Sequence, residues 1–158
     1  MSHVYKTYNG VNHALKNIEL NVNKGEFVFL TGPSGAGKTT LFKIMSAFDR
    51  ISSGSIEVAG YDLSKITFRE VPYFRRKIGV VFQDFKLLKD LNVFQNVALP
   101  LIVKKEKESV IQKKVFEVLE QVGLSNKHKE FPLLISGGEQ QRTAIARALI
   151  HQPGLLIA

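Results

Sequence analysis

The 158 residues predict an α/β fold with a mainly parallel sheet, and three observations carry the prediction. Three short stretches, "FVFL", "IGVVFQ" and "LLIA", are continuously apolar, as strands buried on both faces are. Between them, apolar residues recur at i, i+3, i+4 and i+7, the spacing of amphipathic helices. A glycine-rich loop joins the first such strand to the first such helix.

Taken in order, the chain first alternates. Ile18, Leu20 and Val22 are separated by polar Glu19 and Asn21, which reads as a half-exposed antiparallel strand. Lys24 and Gly25 form the turn that follows. "FVFL" (residues 27–30) reads as the central parallel strand, and Leu41, Ile44, Met45 and Phe48 mark the helix after the loop. "GSIEVAG" (residues 54–60) reads as a short strand between turns, and "IGVVFQ" (residues 78–83) as another buried strand. The character then turns helical. Val115, Val118, Leu119 and Val122 share one face, with Gly123 placed to end that helix. Ser136 and Glu139 have the S-x-x-E spacing of a capping box, so Ser136 is the expected N-cap of the next helix. "LLIA" begins a last strand. The expected organisation is one partial domain. Residues 1–83 form a core with an antiparallel β part, residues 84–134 a helical subdomain, and residues 135–158 a helix and the start of a strand.

The totals exclude some chemistry. With no cysteine there is no disulfide framework and no thiolate nucleophile. No stretch approaches the roughly 18 apolar residues of a membrane span. "MSHVYKTYNG" has no apolar h-region, so no signal peptide is expected. The net charge of +8 suits phosphate-bearing ligands, nucleic acid or an anionic membrane face without choosing among them. "KKEKE" (residues 104–108) reads as a solvated connector. The basic cluster Arg69, Arg75, Arg76 and Lys77 reads as a solvated face, and His3, His13, His128 and His151 as surface or cap residues.

The loop carries the most specific signal. "GPSGAGKT" (residues 32–39) matches G-x-x-x-x-G-K-[ST] and lies after an apolar run and before a helix, the context this phosphate-binding loop requires. Gly32, Gly35 and Gly37 let the backbone curl around Pro33, which has no N–H of its own, so that the N–H groups of Ser34, Ala36 and Thr40 can face phosphate oxygens. The helix N-terminus adds its positive end. Lys38 can reach β- and γ-phosphates, and the Thr39 hydroxyl can ligate Mg²⁺. ATP with Mg²⁺ is the expected ligand. A second small-residue motif, "ISGGEQQR" (residues 135–142), offers Ser136, Gly137, Gly138, Glu139 and Gln140 at a helix start. It is either a second phosphate-binding terminus or an ordinary capping box after a Gly-Gly loop.

The order of phosphate loop, Gln83 after an apolar strand, and S-G-G-x-Q resembles the ATP-binding-cassette (ABC) ATPases, with their P-loop NTPase fold. The resemblance spans nearly the whole chain. It implies that Ser136 to Gln140 close on the γ-phosphate held by another subunit. It implies that Gln83 touches Mg²⁺ and the attacking water, and that Tyr8 in "VYKTY" stacks on adenine. The alternative readings are an apolar strand residue for Tyr8 and a capping amide at a strand end for Gln83. "REVPYFRRKIGVVFQDFKLLKDLNVFQNVALPL" (residues 69–101) is similar to the cell-division branch of the family. That branch implies a homodimer of ATPase subunits and an integral-membrane, permease-like partner. It also implies a place on the inner face of the bacterial plasma membrane and no nucleic-acid role. Lipoprotein-release and macrolide-efflux ATPases are the nearest alternative. ABC-type DNA-repair and chromosome ATPases carry a long coiled coil between the two motifs, whereas only about a hundred residues separate them here. Phe85, Leu87 and Leu88 are expected either to form the partner's docking groove or to pack in the core. The family pattern continues after "LLIA" with an Asp and a Glu that serve Mg²⁺ and the attacking water. The 158 residues stop before that pair, so they are expected to bind ATP without hydrolysing it.

Overall fold

The computed structural model describes residues 1–10 and 12–158. These residues divide into two compact units, Met1–Arg75 and Arg76–Ala158.

In the first unit, β1 (Ser2–Tyr8) is the middle strand of an antiparallel sheet. It pairs with β2 (Asn12–Ile18) through Val4↔Ile18 and Lys6↔Leu15. The helix α1 (Lys38–Met45) buries Leu41 and Ile44. On the other edge of β1, β3 (Ser53–Ser55) pairs through Tyr5↔Ser53. Then β4 (Glu57–Val58) and β5 (Tyr61–Asp62) form a two-residue hairpin, Val58↔Tyr61. Its turn residues Ala59 and Gly60 both have positive φ, 50° and 81°, the twist that matches a tight hairpin. The short helix α2 (Val71–Arg75) closes the unit on a fully buried Phe74.

In the second unit, β6 (Ile78–Val80) pairs in parallel with β7 (Leu155–Ile157), Ile78↔Leu155 and Val80↔Ile157. Two of the three continuous apolar runs thus meet as neighbours. Between them lie α3 (Val93–Val103), α4 (Glu108–Gln121) and α5 (Gly137–Leu149), with two 3₁₀ turns, Ser125–Lys127 and Pro132–Leu134, between α4 and α5. The three helices share one core of Val93, Val97, Leu101, Ile111, Val115, Leu119 and Ala146. The α4 face read from the sequence is the buried one, and Gly123 follows that helix with φ 67°. Asn96 is fully buried and fully satisfied. Its amide donates to the carbonyls of Leu88, Leu91 and Asn92 at 3.0, 2.8 and 3.1 Å, and its Oδ1 accepts from Leu88 N–H at 2.8 Å.

Some expectations need correction. Residues 27–30 form no strand among the described residues. Phe27, Val28, Phe29 and Leu30 are 84, 51, 80 and 53% exposed. An apolar run of this kind becomes a strand only through neighbours on both edges, and the described residues supply no ladder to it. Likewise β2 ends at Ile18, and residues 19–22 keep an alternating exposure outside any strand, with Leu20 exchanging backbone hydrogen bonds with Met1 at 2.9 and 3.3 Å. The helix after the loop ends at Met45, which leaves Phe48 outside it. Arg75 is not solvated: it donates to the carbonyls of Ser46 and Ala47 at 3.3 and 2.9 Å and stacks on Phe48 at 3.8 Å. A guanidinium there satisfies carbonyls that a helix end leaves free. His151 is half-buried, with Nε2 3.0 Å from the Ile78 carbonyl. Among the described residues no helix is long and apolar enough to cross a membrane.

Candidate functional site

The first unit presents the glycine loop. Gly37 is the N-cap of α1 with φ 88°, and a Cβ on it would lie 2.5 Å from the Ala14 carbonyl oxygen on β2. Only glycine satisfies both constraints, so the loop enters the helix at one fixed place. No side chain caps α1 and its first turn has no acidic residue. Its leading N–H groups and positive dipole end are therefore left for an anion. Gly35 turns the loop with φ 82°, and Ala36 N–H closes on the Pro33 carbonyl at 3.2 Å. Gly32, Pro33, Ser34, Gly35 and Ala36 are all exposed.

Lys38 folds back over this loop. Its Nζ donates to the carbonyls of Gly32 and Pro33 at 2.6 and 2.8 Å. The ammonium therefore lies across the loop whose curl would hold phosphates, bound to neutral acceptors. An anionic phosphate oxygen is a stronger acceptor for the same donor. Thr39, beside it, is exposed. Thr40 faces the other way, as a hydrogen-bond neighbour of the Tyr8 phenol. Tyr8, at the end of β1, is 38% exposed.

The second unit holds the remaining candidates. Gln83 is exposed in the turn after β6. Phe85 and Leu87, just beyond it, pack on Val81, Ala144 and Ala148, while Leu88 stays half-exposed. Phe85 and Leu87 are only partly buried and line a surface pocket with Asp84, Lys86, Pro132 and Gln140. At the start of α5 the capping box is complete. Ser136 Oγ accepts from Glu139 N–H at 3.3 Å, and Glu139 Oε2 accepts from Ser136 N–H at 2.7 Å. The Ser136 hydrogen bonds hold the Glu139 carboxyl below its usual range. Gln140 donates to the carbonyls of Pro132 and Ile135 at 2.9 and 3.2 Å, which fixes the loop leading into the helix. Glu139 and Gln140 are therefore occupied in shaping this terminus. Gly137 and Gly138 are not needed by it. A Cβ on Gly137 would meet nothing within 4 Å, and one on Gly138 only the tip of Arg142 at 3.7 Å.

Sequence reading missed two features here. Asp49, just beyond α1, binds Tyr8 and Lys6. Arg147, late in α5, binds the carbonyls of Phe85 and Lys86. Neither lies in a motif, and their partners are far away in sequence.

The donors suit magnesium. No cluster of three His, Cys, Asp or Glu exists among the described residues to form a protein cage. The exposed Thr39 offers a hydroxyl, the kind of neutral partner that suits an ion held chiefly by phosphates and water.

The ABC transporter family profile matches residues 15–158. The chain is 50% identical over 159 aligned positions to the cell division ATP-binding protein FtsE of Bacillus subtilis strain 168, covering 100% of this chain and 69% of that one. It is 46% identical to FtsE of Escherichia coli K12, covering 99% of this chain and 70% of that one. Among solved structures, the ATP-binding cassette MJ0796 superposes with a TM-score of 0.90 at 38% identity, over 98% of this chain and 70% of that one. That structure is a dimer in a post-hydrolysis state, bound to ADP and Pi.

Proposed function

The chain belongs to the ABC transporter family, and we propose that it is the ATP-binding part of an FtsE-type ATPase subunit that works in bacterial cell division. The observation that carries this is Lys38, laid across the carbonyls of Gly32 and Pro33 at the uncapped start of α1. The identity to FtsE proteins of two distant bacteria supports the cell-division role.

On this reading, the N–H groups from Gly32 to Thr40 bind the phosphates and Lys38 moves from its loop carbonyls onto the β- and γ-phosphates. Thr39 and Gln83 would hold Mg²⁺, which when bound neutralises charge on the phosphates. Tyr8 receives the adenine on its ring face. The terminus of α5, with Ser136, Gly137 and Gly138, binds the γ-phosphate on a second copy of the subunit. The dimeric MJ0796 structure supports this arrangement. So does the open space at Gly137, a glycine with no packing reason to be one. Only a triphosphate spans both sets of donors, so closure of the pair depends on the γ-phosphate. Leu88 contacts the integral-membrane partner, of the FtsX type, on the inner face of the plasma membrane. Such a complex regulates peptidoglycan hydrolysis.

The test uses the full-length protein with its membrane partner. Lys38→Ala should abolish ATP binding. Leu88→Asp should keep ATP binding and lose co-purification with the partner. Intact co-purification of the Leu88→Asp variant contradicts the docking assignment, and intact ATP binding by Lys38→Ala contradicts the site.

A further inference from the structure

We propose that Asp49 is a positioning residue for nucleotide binding, which locks the Tyr8 ring to the helix that carries the phosphate loop. The inference rests on the reading of Tyr8 as the surface on which the adenine stacks.

The geometry is a closed cluster. The Tyr8 phenol donates to Asp49 Oδ2 at 2.5 Å. Lys6 donates from Nζ to Asp49 Oδ1 at 2.5 Å and to the Arg50 carbonyl at 2.7 Å. Arg50 N–H donates to Asp49 Oδ1 at 2.7 Å. Lys6 is 9% exposed, and its ammonium lies 4.7 Å from the centre of the Tyr8 ring, over one face. The other face is the one left for a base. Asp49 is itself tied back to α1, because its N–H donates to the Lys43 carbonyl at 3.2 Å.

This arrangement has a consequence for binding. The phenol proton is committed to Asp49, so Tyr8 offers a ring face and not a donor. An unpinned tyrosine would sample several rotamers and lose that freedom when a base stacks on it. Here the ring is ordered in advance, and by the same helix whose first turn holds Lys38 and Thr39. The base platform and the phosphate loop are thus held at a fixed separation by one rigid element.

The test compares two ligands in the full-length protein: MgATP, and inorganic tripolyphosphate with Mg²⁺, which has no base. Tyr8→Phe keeps the ring and removes the hydroxyl, with its bond to Asp49 and its contact with Thr40 at the start of α1. Its affinity for MgATP should fall about 3- to 10-fold, the cost of ordering one side chain on binding. Its affinity for tripolyphosphate should not change. Tyr8→Ala should lose more MgATP affinity, again with tripolyphosphate unchanged. Asp49→Asn should mimic Tyr8→Phe, but it strips the counter-charge from buried Lys6 and can cost the fold itself, so Tyr8→Phe decides. If Tyr8→Phe binds MgATP as the wild type does while Tyr8→Ala does not, the ring matters and the lock is refuted. If both bind MgATP normally, the stacking role of Tyr8 fails and takes the lock with it. If Tyr8→Phe weakens both ligands equally, Asp49 supports the loop rather than the base, and the proposal is overturned.

Discussion

Arg147, near the end of α5, donates from Nη2 to the carbonyl oxygen of Phe85 at 2.6 Å, and from Nη1 to that of Lys86 at 2.8 Å. Phe85 and Lys86 have φ of 58° and 49°, a left-handed conformation that costs each non-glycine residue roughly 1–2 kcal/mol. The guanidinium offsets this and ties the turn after Gln83 to the helix that Ser136 begins. Arg147→Ala in the full-length protein should lower stability by about 2–3 kcal/mol in urea denaturation. Arg147→Lys, which has no fork to span two carbonyls, should recover only part of it. An unchanged midpoint for the alanine variant contradicts the clamp.

Asn96 does a related job from α3. Asn96→Leu should leave the polar groups of Leu88 and the carbonyl of Leu91 unpaired, at a cost of about 3 kcal/mol or more. The variant should also expose the backbone around Leu88 to hydrogen exchange. Unchanged protection at Leu88 would mean that the amide is not what holds this segment.

Gly137 separates packing from assembly. A methyl group there meets nothing within 4 Å, so Gly137→Ala should keep stability or raise it by up to about 1 kcal/mol. Its ATPase activity in the full-length dimer should fall on the order of tenfold or more, because on the proposed arrangement the methyl would intrude where the second copy's nucleotide approaches. Full activity in this variant removes Gly137 from the composite site.

The Tyr8–Asp49 pair predicts opposite pH limits. Burial opposes the Asp49 carboxylate, but hydrogen bonds from Lys6, Tyr8 and the Arg50 N–H hold its pKa below the usual value. Its contribution is therefore present above about pH 4 and lost as pH falls through the depressed value. The bond to Asp49, followed by burial, raises the Tyr8 pKa. That contribution is present below about pH 10 and lost as pH rises through the raised value. The phenolate absorbance of wild type minus Tyr8→Phe should titrate above an ordinary tyrosine. A midpoint at or below the ordinary value contradicts the pairing.

What could be read from the sequence was local. The loop from Gly32 to Thr39 and the box of Ser136 and Glu139 are set by residues within a few positions of each other, so their spacing suffices. The faces of α4 and the end at Gly123 follow from helix periodicity in the same manner. Residues 27–30 failed as a strand because pairing depends on partners that local pattern cannot name. Asp49 and Arg147 were invisible for the same reason. Their contacts to Tyr8 and Phe85 span 41 and 62 positions. Arg75 was misread because a charge cluster looks solvated until the carbonyls it caps are located.

The most direct test of the central claim is an equilibrium titration of the protein with MgATP, run on the wild type and on Lys38→Ala. Saturable binding that Lys38→Ala abolishes is the predicted result. Binding that survives Lys38→Ala contradicts the account.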